Sequence, residues 1–338
     1  MASWDTSPCC GVEVRGLHLA TLSAESLHEV KRRFAEAGVV YFRDIGSDFG
    51  PEQHMDFSRL FGGINVNRFF PQVDGHEGIA KVEKRPEQKE AIGDVFHADH
   101  TYDLAPALGS MLVARELPAA GGDTVFCSMY AAYESLPEHV KRHVEGMRAV
   151  HSSRHTFGRP TKLYQNAKAA TQDNVHPVVI THPLSGRRAL FVNPAFTLHF
   201  EGQTIDESAP LLEALYHHAL RPEHCHRFEW CTGSAALWDN RSVWHCAFND
   251  YHGDSRLMHR ITIDGVELEA AHPRAGSSQP FDGVAVDALA HPDGPGSSTH
   301  VKMLYRTREL GLYGTAGERV PFPPLPAQDA ETPHLCNL

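Results

Sequence analysis

Between residues 78 and 265 the chain is cut into short β-rich runs separated by turn residues: "IAKVEK", "ALGSMLVARE", "DTVFCS", "HPVVITH", "RALFVN", "AALWDN", "VWHCAF" and "LMHRITIDG". Strands this short and this numerous predict a β-sandwich or barrel. Helices come first. "SAESLHEVKRRFAEAG" offers Ser23 as N-cap, Leu27, Val30 and Phe34 at helical spacing, and Gly38 as the stop. "PEQHMDFSRLFGG" has Pro51 near its start and Gly62-Gly63 past its end. "VVYFR" between them reads as a buried strand, and "VEVRGLHL" upstream alternates like a short one. A later helix, "DESAPLLEALYHHAL", interrupts the β region, and "MYAAYESLPEHVKRHVEGM" supplies one or two more. The expected fold is mainly β with flanking helices.

Two stretches lack this texture. Residues 154–176 mix basic, polar and glycine residues without periodicity, which predicts a lid or loop insertion. Residues 271–298 are rich in Gly, Pro and Ser and read as a linker. Formal charge is −11, and no basic run exceeds Lys31-Arg32-Arg33, so a nucleic-acid partner is not expected. Seven scattered cysteines without a C-x-x-C argue against a zinc ribbon or a disulfide framework and for a reducing compartment. No apolar h-region opens the chain and no apolar run reaches membrane-spanning length. A cytoplasmic location with no membrane partner is expected.

Chemistry enters at "VFHADHTYD", residues 95–103. Histidine-x-aspartate alone is weak in a chain with 24 histidines, because the pattern recurs at His54-Asp56, His252-Asp254 and His291-Asp293. Side chains at i and i+2 point the same way only in extended chain. That excludes His54-Asp56, whose segment is helix-like and splays such a pair by about 200°. His291-Asp293 lies in the linker and His252-Asp254 in a turn. His97-Asp99, after apolar Val95-Phe96, has the surroundings of a sheet edge, and His199-Phe200-Glu201 competes on the same geometry.

A third ligand candidate, His245, stands among Val243, Trp244, Ala247 and Phe248. Downstream, Arg256 and Arg260 share a face if their run is extended. Two buried guanidiniums need anions, and carboxylates are their strongest directional partners. Two imidazoles and one carboxylate suit a non-haem Fe(II) oxygenase site, and zinc accepts the same set. The arginines favour a cosubstrate that brings carboxylates.

At these residues the sequence resembles the TauD/TfdA family of taurine dioxygenase-like Fe(II)/2-oxoglutarate-dependent oxygenases. "FHADHTYDLAPALGSMLVARELPAAGGDTVFCSMYAAYESL" is similar to the family's first block and "WDNRSVWHCAFNDYHGDSRLMHR" to its last, with "AGVVYFRD" nearer the N-terminus. The resemblance implies a double-stranded β-helix, a cupin-like jelly roll, over residues 1–266, followed by an extension at 267–338 of no assigned role. It implies His97, Asp99 and His245 as iron ligands, and Arg256 with Thr124 on the distal carboxylate of 2-oxoglutarate. Arg260 falls where relatives hold the anionic group of the prime substrate. The places of an amine clasp in taurine-specific relatives fall at Asn67, Phe70 and Gly93, which argues for a larger, more apolar carboxylate or sulfonate. Phe70, Tyr102 and Phe196 are candidate pocket walls, and Asn67 is a candidate substrate-binding residue beside them. His100 is expected to be structural, Asp103 a turn or lid residue, Trp238 and Trp244 core, and His217-His218 a solvated face. The implied reaction is hydroxylation of a C–H with O2, releasing succinate and CO2. Asp99 disfavours halogenation, and self-association as a dimer or tetramer is expected. A zinc hydrolase on the same ligands, or a non-catalytic jelly-roll binding module, are the competing readings.

Overall fold

The computed structural model of the chain describes residues 2–6, 8–158, 164–170 and 172–271. Among these, a nine-stranded sheet runs in the order Ser3–Asp5, Val12–Arg15, Val39–Phe42, Ala235–Asp239, Gly109–Glu116, Arg256–Ile263, His76–Lys84, Gln72–Val73, with Ile64–Asn65 also pairing Arg256–Ile263. Val12–Arg15 and Val39–Phe42 are parallel and the other pairs antiparallel. Opposite it stand smaller sheets. One is Cys225–Phe228, Thr124–Ser128 and Val243–Ala247. Another is Asp173–Pro177, Arg148–Ser152 and Thr197–Phe200, and Val179–Thr181 pairs with Arg188–Leu190. This is a jelly roll with helices outside, as the resemblance implied.

The two helices expected near the N-terminus form for the expected reasons. Ser23 Oγ accepts the Ser26 N–H at the start of Ala24–Ala37, and Gly38 ends it in the left-handed region, its N–H bonded to Phe34 O. Pro51 opens the helix Pro51–Arg59. Both cover one face of the large sheet, burying Val30, Phe34 and Phe57 against Met111, Val113 and Ile263. The opposite face turns inward, where Phe126, Trp238 and Met258 fill the space between sheets. At about 1.5–3 kcal/mol for each large apolar side chain buried, these contacts hold the frame that carries the site.

Several expectations change. "HPVVITH" is two strands of different sheets, Asp173–Pro177 and Val179–Thr181, because Val178 N–H turns to Met147 O. Residues 173–176, expected within the irregular insertion, are therefore strand, paired with Arg148–Ser152. His218 is buried rather than solvated, its Nε2 lying 3.0 Å from Ala132 O where Ile205–Ala219 packs on Met129–Glu134. The domain continues past 266: Thr181 N bonds Glu269 O, Ala271 N bonds Val179 O, and Ala271 is fully buried. The linker and the rest of the extension, including His291-Asp293, lie outside the described residues. Trp238 and Trp244 are core residues, each 1% exposed. Among the described residues no helix is long and apolar enough to cross a membrane.

Candidate metal centre and the cationic pocket beside it

Strand pairing brings the three candidate ligands together. Residues 93–97 lie along the edge of Val243–Ala247, with Ala247 N bonded to Gly93 O. His97 and His245 form a mutual backbone pair, His245 N to His97 O at 2.8 Å and His97 N to His245 O at 3.1 Å. Directly opposed residues in such a pair project to the same face, so the two rings stand 4.1 Å apart. Asp99, two residues on, reaches the same point. Its carboxylate lies 3.6 Å from His97 Nε2 and 3.9 Å from His245 Nε2. One ligand atom from each of the three residues falls within 4.8 Å of the others, the one such group among the described residues. His100 then adopts φ +58°, and the chain turns away.

The donor set fits a divalent first-row metal. His97 Nδ1 donates to Val95 O at 2.7 Å, which leaves the Nε2 lone pair toward Asp99 and His245. Burial keeps His245 neutral by pushing its pKa well below the ordinary value. Burial would raise the Asp99 pKa, but the Arg260 guanidinium holds it well below the carboxylate range. His199-Glu201, the competing pair, does not join the group.

Arg256 and Arg260 lie on Arg256–Ile263, where the alternation of the strand turns both inward, 3% and 6% exposed. Arg256 Nε and Nη2 have no hydrogen-bond partner. A buried guanidinium with two idle nitrogens is costly and calls for an anion. Burial depresses its pKa. Gly122 makes room for it, since a Cβ there would stand 3.1 Å from Arg256 Cδ. Trp230 joins Arg256 to Thr124: the guanidinium sits 5.8 Å from the indole ring, and Trp230 Nε1 donates to Thr124 Oγ1 at 2.9 Å. Thr124 is 2% exposed at the start of Thr124–Ser128.

Arg260 touches both the ligand set and the aromatic wall. Its Nη1 donates to Asp99 Oδ1 at 3.2 Å, and its guanidinium lies 4.7 Å over Phe70. Phe70, Tyr102 and Phe196 belong to one buried cluster with Phe69, Phe157, Ala170 and Ala195. Phe196 meets the His97 ring edge to face at 6.1 Å. Asn67 is turned elsewhere: its Nδ2 donates to His100 Nε2 and its Oδ1 accepts the Phe69 N–H. His100 Nδ1 donates to Asp103 Oδ2 at 2.8 Å, and Arg68 holds the other oxygen. Burial would lift the Asp103 pKa, yet these two partners keep it lowered. Asn67, His100 and Asp103 thus brace two loops against each other.

Sequence reasoning missed Trp230, Phe157 and Tyr164. Phe157 stacks on Phe69 at 4.2 Å, and Tyr164 meets Phe70 edge to face at 5.5 Å. Gln165 N bonds Phe69 O, Gln165 Nε2 bonds Phe70 O, and Asn166 Nδ2 bonds Arg68 O. The aromatic residues in the otherwise polar 154–176 stretch were the available signal.

A family model described as taurine catabolism dioxygenase TauD, TfdA family, matches residues 5–262. The chain is 32% identical to an alkylsulfatase of Acinetobacter baylyi over 79% of this chain and 86% of that protein. It is 31% identical to an alpha-ketoglutarate-dependent sulfate ester dioxygenase of Pseudomonas putida, over 75% and 86% respectively. Among solved structures, a taurine dioxygenase from Burkholderia xenovorans superposes with a TM-score of 0.67 at 30% identity, covering 81% of this chain and 94% of that one.

Proposed function

The chain belongs to the TauD/TfdA family, and we infer that it uses Fe(II), 2-oxoglutarate and O2 to hydroxylate a carbon of a small organic anion, with succinate and CO2 as co-products. His97, Asp99 and His245 are the proposed iron ligands. Fe(II), with the cosubstrate and O2, supplies the oxidising power that removes the hydrogen atom. The protein's own groups bind, orient and exclude water. Arg256 pairs with the distal carboxylate of 2-oxoglutarate and Thr124 adds its hydroxyl. Arg260 binds the anionic end of the prime substrate, and Phe70, Phe196 and Tyr102 wall its body. Holding the reacting carbon close and oriented is where such a site gains rate. Where that carbon also carries an ester oxygen, the alcohol collapses to an aldehyde or ketone and releases the anion.

The observation that carries this reading is Arg256, a buried guanidinium with idle donors beside a two-histidine, one-carboxylate cluster. A zinc hydrolase would leave that charge without purpose. Alkyl sulfates, alkylsulfonates and aryloxycarboxylates are the classes to screen, because the relatives' names include a sulfate ester dioxygenase and a 2,4-dichlorophenoxyacetate dioxygenase. The test is succinate release with Fe(II), 2-oxoglutarate and each substrate, in air and without oxygen. Oxygen-dependent succinate that disappears in His97→Ala and Asp99→Ala is expected. Turnover with zinc in the absence of oxygen would favour the hydrolase. No visible charge-transfer band on anaerobic addition of Fe(II) and 2-oxoglutarate would favour a non-catalytic binding module.

A further inference from the structure

Asp99 is braced from behind by a chain of hydrogen bonds whose direction can be worked out. Asn240 Oδ1 lies 2.9 Å from Trp238 Nε1 and 3.2 Å from the Asp99 backbone N. Both of those are donors only, so the atom they meet must be the amide oxygen. The Asn240 NH2 therefore points the other way, to Ser110 Oγ at 3.4 Å. With an N–H aimed at its oxygen, the Ser110 hydroxyl turns its single proton to Asp99 Oδ2, 2.9 Å away. Ser110, Asn240 and Asp99 are all buried, at 0%, 1% and 5% exposure, so no bulk solvent competes for these groups. Register places Ser110 opposite both Trp238 and Thr262, on the inward face of the large sheet.

A hydroxyl buried inside a strand is of no use to the strand. It costs free energy unless bonded, and alanine would fit the same space. We propose that Ser110 is a positioning residue for the metal centre: its hydroxyl, locked by Trp238 and Asn240, is a permanent proton donor to Asp99 Oδ2. It fixes the rotation of the carboxylate and withdraws charge from that oxygen. Arg260 Nη1 does the same at Oδ1. The carboxylate is thus ordered before any metal arrives, and the ordering cost is not borne at binding. The proposal rests on the reading of His97, Asp99 and His245 as metal ligands.

Removing a hydrogen-bond partner of a metal ligand typically weakens the metal about 10- to 100-fold. Ser110→Ala is expected to weaken Co(II) binding by that factor in an equilibrium titration followed by visible absorption, with far-UV circular dichroism unchanged. The anaerobic charge-transfer band with Fe(II) and 2-oxoglutarate is expected to move to longer wavelength, because Asp99 then donates more charge to the metal. A variant serving only the packing of the strand would leave that band in place. Ser110→Cys fills the site with a slightly larger group that offers only a weak S–H donor, and it is read on the same two measurements if the alanine variant does not fold. Affinity within twofold of wild type, or an unmoved band, overturns the proposal while the metal site stands. Wild-type protein that takes up no Co(II) overturns the site reading and this proposal together.

Discussion

Replacing Arg256 with methionine separates two kinds of buried arginine. An arginine that holds the fold has a carboxylate partner inside the protein, and breaking such a pair costs about 3–5 kcal/mol of stability. Arg256 Nε and Nη2 have no hydrogen-bond partner, and the residue is 3% exposed. The nearby acids are engaged with Arg227, which lies 2.6 Å from Asp123 and 3.7 Å from Asp250. Tyr251, Asp123 and Asp250 offset the Arg256 charge only in part, since burial still depresses its pKa; methionine removes that charge and keeps most of the apolar stem, so the melting temperature is expected to hold or rise. The loss should fall on the cosubstrate. Truncating one partner of a buried, hydrogen-bonded charge pair costs about 2–5 kcal/mol. At about 1.4 kcal/mol for each factor of ten, the KM for 2-oxoglutarate is expected to rise roughly 30-fold to several thousand-fold. The assay is initial-rate succinate formation against 2-oxoglutarate concentration, beside a thermal melt of the same preparation. A melting temperature that falls by several degrees while this KM stays put would refute the reasoning, because Arg256 would then be part of the fold's own ion pairs.

Three further outcomes are expected. Arg260→Met should raise the KM for the prime substrate and leave succinate forming without matching hydroxylated product; tight coupling retained in this variant would remove Arg260 from the substrate site. Gln165→Ala deletes the 2.8 Å bond from its side chain to Phe70 O, worth about 1 kcal/mol, so the prime-substrate KM should rise about fivefold with the 2-oxoglutarate KM unmoved; equal shifts in both would show that the 164–170 segment does not act at the substrate pocket. His54 is fully buried, and burial, with Arg115 and His259 nearby, lowers its pKa to about 3. The unfolded imidazole takes up its proton near pH 6.5 and the folded one near pH 3, so acid favours the unfolded chain across that window. By pH 5 this one residue should cost about 2 kcal/mol, seen as a smaller drop in urea midpoint between pH 7.5 and pH 5 for His54→Phe than for wild type; an identical drop would show that His54 does not carry that dependence.

The helices at Ala24–Ala37 and Pro51–Arg59 were legible because their signals are local. A serine cap, an apolar repeat and a stop glycine act within a few residues of one another. The split of "HPVVITH" into two strands was not legible, since all its residues suit a strand and only the partner sheets decide where the chain turns. His217-His218 failed similarly. The end of a helix says nothing about which neighbour covers it, and Met129–Glu134 covers His218. Asn67 fell at a position where relatives bind ligand, yet its amide goes to His100 and Phe69, a choice made by loop packing.

What the sequence determined by itself was the inventory and its order: a histidine-x-aspartate in extended chain, a distant histidine among apolar residues, and two arginines four apart. These follow from side-chain periodicity, which is a property of neighbouring residues. Convergence was the work of the tertiary structure. The backbone pair between His97 and His245 joins residues 148 positions apart (245 − 97), and hydrogen bonds formed across that separation leave no trace in local pattern. The same holds for Ser110: in the sequence it is one polar residue at the head of a strand, and only the fold aims its proton at Asp99.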